Sequence, residues 1–416
     1  KGSQEMAWEE QRPEKRRRTN RDSRKSPNRG RAKSRERVRN NEFAWITYLF
    51  VILFIALMIY LVYFTIVRAD TFVNSPYNQR QDAFAQKVVR GQITDRNGNV
   101  LARTDVAEDG TETRVYPYGS LFAHVVGYSD TELGKTGLES VENFELLTSN
   151  AFFVEKIQNE FNGNKNQGDT VVTTLDADLQ QAAYDALGNN KGAVVVMEAD
   201  TGKILSMVSK PDYDPNNIYA DWETLNTDEE NSPLLNRATS GSYAPGSVFK
   251  IVTTLAYMRQ DSNYSAYTYD CSGSITMDNT TIPCFNNAVH GFEDLRSSFA
   301  NSCNSSFANI GLSLDIEGYR NTAEDLLFNS SLPSVLDYTK SSFALDEESN
   351  TAEIMMTAMG QGETTVSPYH MALITQAVAN GGTLMEPYLV EQVTNYTGTE
   401  VRRNVPKSYR RLMTSE

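Results

Sequence analysis

The chain has 416 residues, a net charge of −14 and 40% hydrophobic residues, so it is long enough for more than one domain. Its only three histidines are His124, His290 and His370, and no two of them are spaced as a helical metal pair. The three cysteines form no CxxC pair and are too few for a disulfide scaffold. These counts argue against a zinc centre and a His-based triad, and we predict neither a metal nor a cofactor.

The first 42 residues form a basic segment with 15 Lys and Arg against 7 Asp and Glu, whereas the remainder has 24 against 46. A basic tail on an acidic body indicates two compartments or two partners. Because the tail has almost no apolar periodicity, we predict disorder over residues 1–42. Its Arg16-Arg17-Arg18 run could be a nucleic-acid patch, but the segment that follows favours a cytoplasmic tail and no nucleic-acid partner.

A membrane-spanning helix is predicted over residues 43–67. This segment has no charged residue and exceeds the roughly 20 residues needed to cross the hydrocarbon core. A buried core helix would carry a polar stripe, and a cleaved signal peptide would have a shorter apolar region. The basic tail before the helix predicts a single pass through the cell membrane, with the N-terminus in the cytoplasm and the body outside it.

The body begins with strands, turns and loops over residues 68–167 and continues as a second domain over 168–416. Turn residues at 96–99 separate two apolar runs. Residues 170–175 are predicted to form a strand, and 176–187 an amphipathic helix. Farther on, we predict a β-hairpin with strands at 192–197 and 203–208, and a helix that begins at Ser367-Pro368 and stops at 379–382.

The strongest chemical motif is Ser247-Val-Phe-Lys250, the only Ser-x-x-Lys in the chain. A serine hydroxyl needs a base to become a nucleophile, and residues i and i+3 share one face of a helix. Burial would lower the pKa of Lys250 so that its neutral amine could act as that base. A helix start at Ser247 would also favour a developing oxyanion. The alternative is an ordinary helix start with a solvated lysine.

A second motif, Ser302-Cys-Asn304, lies 55 residues after Ser247. Ser302 could relay protons between the lysine and a leaving amine, and Asn304 could hold the lysine and a substrate amide. Ser-x-Asn alone is weak, since residues 26–28 also match. Ser-x-x-Lys and Ser-Asp-Asn are two parts of the signature shared by penicillin-binding proteins and class A β-lactamases.

Several longer segments resemble class B penicillin-binding proteins. The segments at 90–102 and 134–139 are similar to two conserved boxes of that family's pedestal domain. The resemblance continues through the hairpin at 192–217, the Leu235-Asn-Arg-Ala238 approach to the Ser247 motif, and the boxes at 360–363 and 379–382.

The resemblance implies an α+β fold with a disordered tail at 1–42, a transmembrane helix at 43–67, a pedestal at 68–167 and a serine transpeptidase domain at 168–416. In the family that last domain has an antiparallel sheet flanked by helices. This sequence would supply two strands of that sheet. The implied function is a peptidoglycan D,D-transpeptidase in cell division or cell elongation, inhibited by β-lactams. The implied partners are stem peptides, β-lactams, membrane lipid and a polytopic SEDS-type glycosyltransferase.

One part of the family pattern is missing. The third motif, Lys-Thr-Gly, should follow residue 382, whereas the only such triplet here is Lys135-Thr136-Gly137 in the pedestal. Since the chain also begins at Lys1 and ends at Glu416 in a polar stretch, we expect a fragment that stops before this motif. Such a fragment would have little activity and an unstable last domain, because the motif's strand forms a wall of the cleft.

Two other functions stay open at this stage: a β-lactam sensor or class D-type β-lactamase, and a non-catalytic membrane scaffold that activates a glycosyltransferase. The pedestal boxes argue against the first. Because this part of the chain is expected outside the cytoplasm, we predict that Cys271 and Cys284 form a disulfide that leaves Cys303 free beside the site. Two unpaired buried thiols are the alternative.

Overall fold

The computed structural model describes residues 30–65 and 86–415. It divides into two units, residues 1–70 and residues 71–416.

The first unit contains helix α1 (Gly30–Tyr63), whose part from Phe43 to Tyr63 has a mean hydropathy of 2.6 and is long and apolar enough to cross a membrane. The helix begins earlier than the sequence predicted. Residues 30–42 are helical instead of disordered, because Arg, Lys, Glu and Ala are good helix formers that can extend a helix already nucleated by the apolar run. The rest of the basic tail, and the end of the predicted span after residue 65, lie outside the described residues.

The second unit contains the remaining elements. Its strands are β1 (Val88–Val89), β2 (Ile93–Thr94), β3 (Val100–Val106), β4 (Glu112–Val115), β5 (Ser129–Asp130), β6 (Gly134–Lys135), β7 (Asn166–Gln167), β8 (Thr170–Thr173), β9 (Gly192–Met197), β10 (Ile204–Lys210), β11 (Thr268–Cys271), β12 (Ser274–Met277), β13 (Thr280–Pro283), β14 (Gly291–Asp294), β15 (Thr383–Met385), β16 (Val390–Thr394), β17 (Glu400–Arg403) and β18 (Ser408–Arg411). Its α-helices are α2 (Ala123–Val126), α3 (Gly137–Val141), α4 (Asn143–Leu146), α5 (Phe153–Asn162), α6 (Ala177–Leu187), α7 (Ile218–Thr227), α8 (Lys250–Gln260), α9 (Leu295–Ala300), α10 (Asn304–Ser313), α11 (Ile316–Asp325), α12 (Thr351–Ala358) and α13 (Pro368–Ala379). Short 3-10 helices lie at Gly119–Phe122, Pro215–Asn217, Gly246–Phe249, Tyr264–Ala266 and Phe285–Asn287.

A six-stranded sheet joins the beginning and the end of this unit, in the order β17-β16-β8-β2-β3-β4. Strands β2 and β8 pair in parallel, and the other neighbours pair antiparallel. The predicted turn between β2 and β3 is present, and Asp95 closes it by accepting hydrogen bonds from the backbone N–H groups of Asn97 and Asn99, each at 2.8 Å. The sheet therefore combines strands from both predicted domains of the body.

The two boxes that resemble the pedestal meet at a buried cluster of charges. Glu139 lies on α3 and is fully buried. Arg90, just before β2, donates to one of its carboxylate oxygens at 2.6 Å, and Arg114 on β4 donates to the other at 2.7 Å. Burial alone would raise the pKa of Glu139, but the two guanidinium groups outweigh it and hold the pKa below the usual range. These contacts fasten α3 to the sheet.

The predicted elements of the second half are confirmed. Helix α6 begins after Asp176, whose side chain caps it, and α13 begins after Ser367 with Pro368 in its first turn and ends at Ala379. Strands β9 and β10 form the predicted antiparallel hairpin, a two-stranded sheet against which α6 and α13 pack.

The start of α8 is fixed by an aromatic cluster. Phe249 is fully buried, with ring centroids 5.5 Å from Phe328, 6.3 Å from Phe343 and 6.4 Å from Tyr319. Helices α10 and α11 pack against α8. This packing positions the residues on either side of Phe249, which include both members of the Ser-x-x-Lys motif.

Candidate active site

Ser247 lies in the single 3-10 turn Gly246–Phe249 that leads directly into α8. Its side chain is exposed, whereas Lys250, the first residue of α8, is 2% exposed. The predicted helix start is therefore present, with a tighter first turn than an α-helix has. The hydroxyl of Ser247 is therefore accessible to solvent, whereas the amine of Lys250 is buried.

The amine of Lys250 joins the two predicted motifs. It donates to Ser302 Oγ at 2.9 Å, to the Ser302 carbonyl at 2.7 Å and to Asn304 Oδ1 at 2.8 Å, and it lies 3.4 Å from Ser247 Oγ. The side chains of Ser247, Ser302 and Asn304, the other three residues selected from the sequence, thus converge on the amine of Lys250. Since no carboxylate is among these contacts, burial lowers the pKa of Lys250 to about 8, although partial charge on Cys303 and Cys284 opposes the shift.

Ser302 has a backbone conformation that the sequence did not reveal. It lies in the loop between α9 and α10, and its φ of 51° is in the left-handed region that favours glycine. Such strain persists where the surroundings enforce it, and it clusters at functional sites. In this conformation both the carbonyl and the hydroxyl of Ser302 accept hydrogen bonds from the Lys250 amine.

A glycine contact supports the turn that carries the nucleophile. The Gly246 N–H donates to the Gly360 carbonyl at 2.7 Å, and both glycines have positive φ, 64° and 86°. A Cβ added to Gly360 would lie 1.7 Å from the Gly246 carbonyl oxygen. Gly360, the first residue of the box at 360–363, thus packs directly against Gly246, the residue before Ser247. In the sequence this box was noted only as a resemblance.

Ser247 opens onto a cavity of about 640 Å³. Its other lining residues are Pro283, Cys284, Phe285, His290, Asn301, Ser302, Asn304, Met359 and Gln361. Lys135, from the early Lys-Thr-Gly triplet, is on β6 and does not line this cavity. Sequence reasoning missed Cys284, His290 and Gln361, because only the fold brings them to Ser247.

The three cysteines differ from the prediction. All three thiols are free and buried, so the predicted Cys271–Cys284 disulfide is wrong in this structure, where the two Sγ atoms are 3.7 Å apart. Cys303 lies 3.7 Å from Cys284, and His290 joins the group. The spacing of these residues in the sequence does not predict a metal centre, whereas the fold gathers four metal-binding side chains from distant positions.

Comparison with protein families follows the same division of the body. Residues 90–171 match the penicillin binding protein A dimerisation domain, and residues 192–415 match the penicillin binding protein transpeptidase domain. The chain is 33% identical over 371 residues to the peptidoglycan D,D-transpeptidase PbpA of Mycolicibacterium smegmatis, covering 84% of this chain and 74% of that protein. PbpA of Mycobacterium tuberculosis is 34% identical over 346 residues, with coverages of 77% and 69%.

Solved structures show the same likeness. Penicillin-binding protein A of M. tuberculosis, in its penicillin G acyl-enzyme complex, superposes with a TM-score of 0.71 at 30% identity, covering 78% of this chain and 79% of that one. The D,D-transpeptidase domain of a peptidoglycan glycosyltransferase from Eggerthella lenta gives a TM-score of 0.70 at 32% identity, with coverages of 79% and 78%.

Proposed function

Because the chain belongs to the class B penicillin-binding proteins, which carry a transpeptidase domain, we propose that it is a peptidoglycan D,D-transpeptidase with Ser247 as its nucleophile. The observation that carries the proposal is the position of the buried Lys250 amine within hydrogen-bond distance of both Ser247 and Ser302. A serine beside a lysine of lowered pKa is an activated nucleophile. The acyl-enzyme complexes of M. tuberculosis penicillin-binding protein A support the same chemistry.

The reaction proceeds in two steps. The neutral Lys250 amine takes the hydroxyl proton as Ser247 Oγ attacks the carbonyl of the penultimate D-Ala of a stem peptide. The C–N bond to the terminal D-Ala breaks, and Ser302 passes the proton from Lys250 to the leaving amine. An amine of a neighbouring stem then attacks the ester and forms the cross-link, the ester C–O bond to Ser247 breaks, and the proton that the attacking amine loses is passed through Lys250 to Ser247 Oγ. Asn304 holds Lys250 through its Oδ1.

A penicillin follows the first step only, because its opened ring stays attached and blocks the second amine. Ser247 should therefore carry a stable adduct of the drug. Rapid hydrolysis of the adduct would indicate a β-lactamase, and no adduct would indicate a scaffold without this activity.

The test uses the protein as its gene encodes it, incubated with a penicillin and analysed by peptide mass spectrometry. We expect one adduct, on the peptide that contains Ser247, and none in Ser247→Ala. Lys250→Arg should lose acylation by about 10²-fold or more, because the guanidinium stays charged and cannot act as the base. The exposed Lys340→Arg is the matched control. Labelling of another residue would reject the assignment.

The membrane placement is also part of the proposal. The apolar part of α1, preceded by the basic tail, supports a single-pass anchor with the N-terminus in the cytoplasm and the catalytic unit outside it. In that position the enzyme acts on peptidoglycan next to membrane lipid, beside a polytopic SEDS-type glycosyltransferase. The resemblance to class B proteins supports this partner.

A further inference from the structure

Four side chains from separate elements meet next to the nucleophile. Cys271 ends β11, Cys284 follows β13, His290 precedes β14 and Cys303 caps the N-terminus of α10. Their ligand atoms all lie within 4.8 Å of one another. Three sulfurs and one imidazole nitrogen form a Cys₃His set, one of the common ligand sets of structural zinc sites.

The distances fit a tetrahedral metal. With Zn–S bonds of about 2.3 Å and a Zn–N bond of about 2.0 Å, ideal tetrahedral ligands lie about 3.8 Å apart for two sulfurs and about 3.5 Å for sulfur and nitrogen. The Cys271–Cys284 and Cys284–Cys303 sulfur pairs are both 3.7 Å apart, and Cys271 Sγ lies 3.4 Å from His290 Nδ1.

The surroundings provide the hydrogen bonds that thiolate ligands need. The Ser305 hydroxyl donates to Cys271 Sγ at 3.2 Å and lies 3.3 Å from Cys284 Sγ. The Ser306 N–H donates to Cys303 Sγ at 3.4 Å. Such outer contacts orient metal ligands and tune affinity.

A buried acid adds negative charge next to the cluster. Glu293, on β14, is 1% exposed and lies close to Cys303. One of its carboxylate oxygens accepts from Asn301, and the other has no partner among the described residues. A buried carboxylate beside thiolates is costly without a nearby cation.

The cysteines also lie outside the main hydrophobic core. The three cysteines form a small cluster separate from the main core, and among the described residues Tyr269 is the partly buried apolar side chain packed against them. Metal binding to such a cluster would contribute folding free energy to this part of the chain.

We propose that Cys271, Cys284, His290 and Cys303 bind one Zn²⁺ ion that holds the Ser302–Asn304 segment in place. Cys303 lies between the two residues that contact Lys250, so a metal bound to it fixes both. Cys284 and His290 line the cavity of Ser247, so the same ion would form part of its wall. The ion is a positioning element and takes no part in bond making. Metal binding itself does not rest on the proposed transpeptidase activity.

The test measures metal content of the whole protein, as its gene encodes it, purified in detergent under reducing, chelator-free conditions. We expect about one zinc per chain by mass spectrometry of the element, and intense thiolate charge-transfer absorption after exchange with Co²⁺. His290→Ala and Cys284→Ser should lose the metal. Ser305→Ala, which keeps all four ligands, should retain it with about 10–100-fold weaker affinity. Ser272→Ala, exposed on the turn after Cys271, is the control.

Two results would overturn the proposal. One is reduced wild-type protein that takes up neither zinc nor cobalt at micromolar free metal. The other is protein isolated without reductant in which two of the three thiols still resist alkylation after denaturation in the presence of a chelator, since that pair would be a disulfide. Repeating the metal measurement on Ser247→Ala separates this site from the proposed catalysis. For the positioning role, wild-type acylation should fall at least tenfold on chelation and recover with zinc, and unchanged acylation of metal-free protein would reject that role.

Discussion

Lys250 is the residue on which the chemistry of the site depends, because its burial removes the water that would otherwise stabilise its charge. Its pKa falls to about 8, so near neutral pH the protonated form predominates and a minority of molecules carry the free amine. The two Ser302 oxygens accept hydrogen bonds from this amine without adding a negative charge, and Ser247 Oγ lies 3.4 Å from it. The site therefore supplies a base that works close to physiological pH.

We expect the second-order rate of acylation to rise with pH and to level off above a midpoint of about 8. The sign follows from the role of the base: below its pKa, Lys250 is protonated and cannot take the proton of Ser247. Stopped-flow acylation by a fluorescent penicillin between pH 6 and 10 measures this profile. A rate independent of pH across that range would contradict the role given to Lys250.

Gly360 gives a second prediction at a single position. A methyl group there would lie 1.7 Å from the Gly246 carbonyl oxygen, so Gly360→Ala must displace the turn before Ser247. Gly362→Ala is the matched control. It has a similar φ of 83°, and its nearest neighbours would be 3.6 Å away.

Both substitutions should cost about 1–2 kcal/mol of stability from the left-handed backbone. Only Gly360→Ala should also slow acylation, by about tenfold or more, because a displacement of about 1 Å can cost up to 10²-fold. Equal acylation rates in the two variants would show that the Gly246–Gly360 contact does not position the nucleophile.

At the scale of elements, the sequence predicted those parts of the fold that depend on local signals. Asp176 and the Ser367-Pro368 pair mark helix starts because a cap acts within one turn, and the β9–β10 hairpin follows from alternation around a tight turn. Features that depend on contacts between distant segments could not be predicted from such local signals. The cysteine cluster and the strained Ser302 arise from contacts between segments far apart in sequence.

The sequence predicted which residues form the candidate site, but it did not predict how they are arranged in space. The spacing of Ser247 and Lys250 placed them on one face of a helix. The 55 positions from Ser247 to Ser302, in contrast, gave no physical reason to expect the two motifs to be in contact. Only the resemblance to a known family joined the two motifs, and the structure supplies the reason, because α8 packs against α10.

The cluster around Glu139 joins α3 to the sheet, so its removal tests how strongly these elements depend on each other. Glu139→Gln leaves two buried guanidinium groups without their carboxylate, and breaking a buried pair in this way typically costs about 3–5 kcal/mol. Glu400→Gln removes an ion pair of similar length, 2.8 Å to Arg403, with both side chains nearly half exposed, and should destabilise the protein far less. Urea unfolding measures both, and equal losses would contradict the interpretation.

At the scale of the whole molecule, the main core of the body includes residues from Ile93 to Leu412. It includes residues of both predicted domains of the body, and the six-stranded sheet crosses their boundary. The N-terminal unit has no comparable core among its described residues, because the apolar side chains of its helix are mostly exposed.

This exposure and the charge distribution together predict the orientation of the chain in the membrane. Residues 1–42 carry an excess of eight positive charges, and basic residues within about 15–20 positions of a span stay on the cytoplasmic side. We therefore expect protease added to spheroplasts to digest the acidic body and to leave the tail, detected through an epitope fused to its start. Lysed spheroplasts, in which both sides are accessible, are the control. Replacing the Lys and Arg residues at 29–39 by Gln should weaken this preference and expose a fraction of the epitope. A tail that is cleaved in intact spheroplasts of the wild type would place the body in the cytoplasm, away from its peptidoglycan substrate.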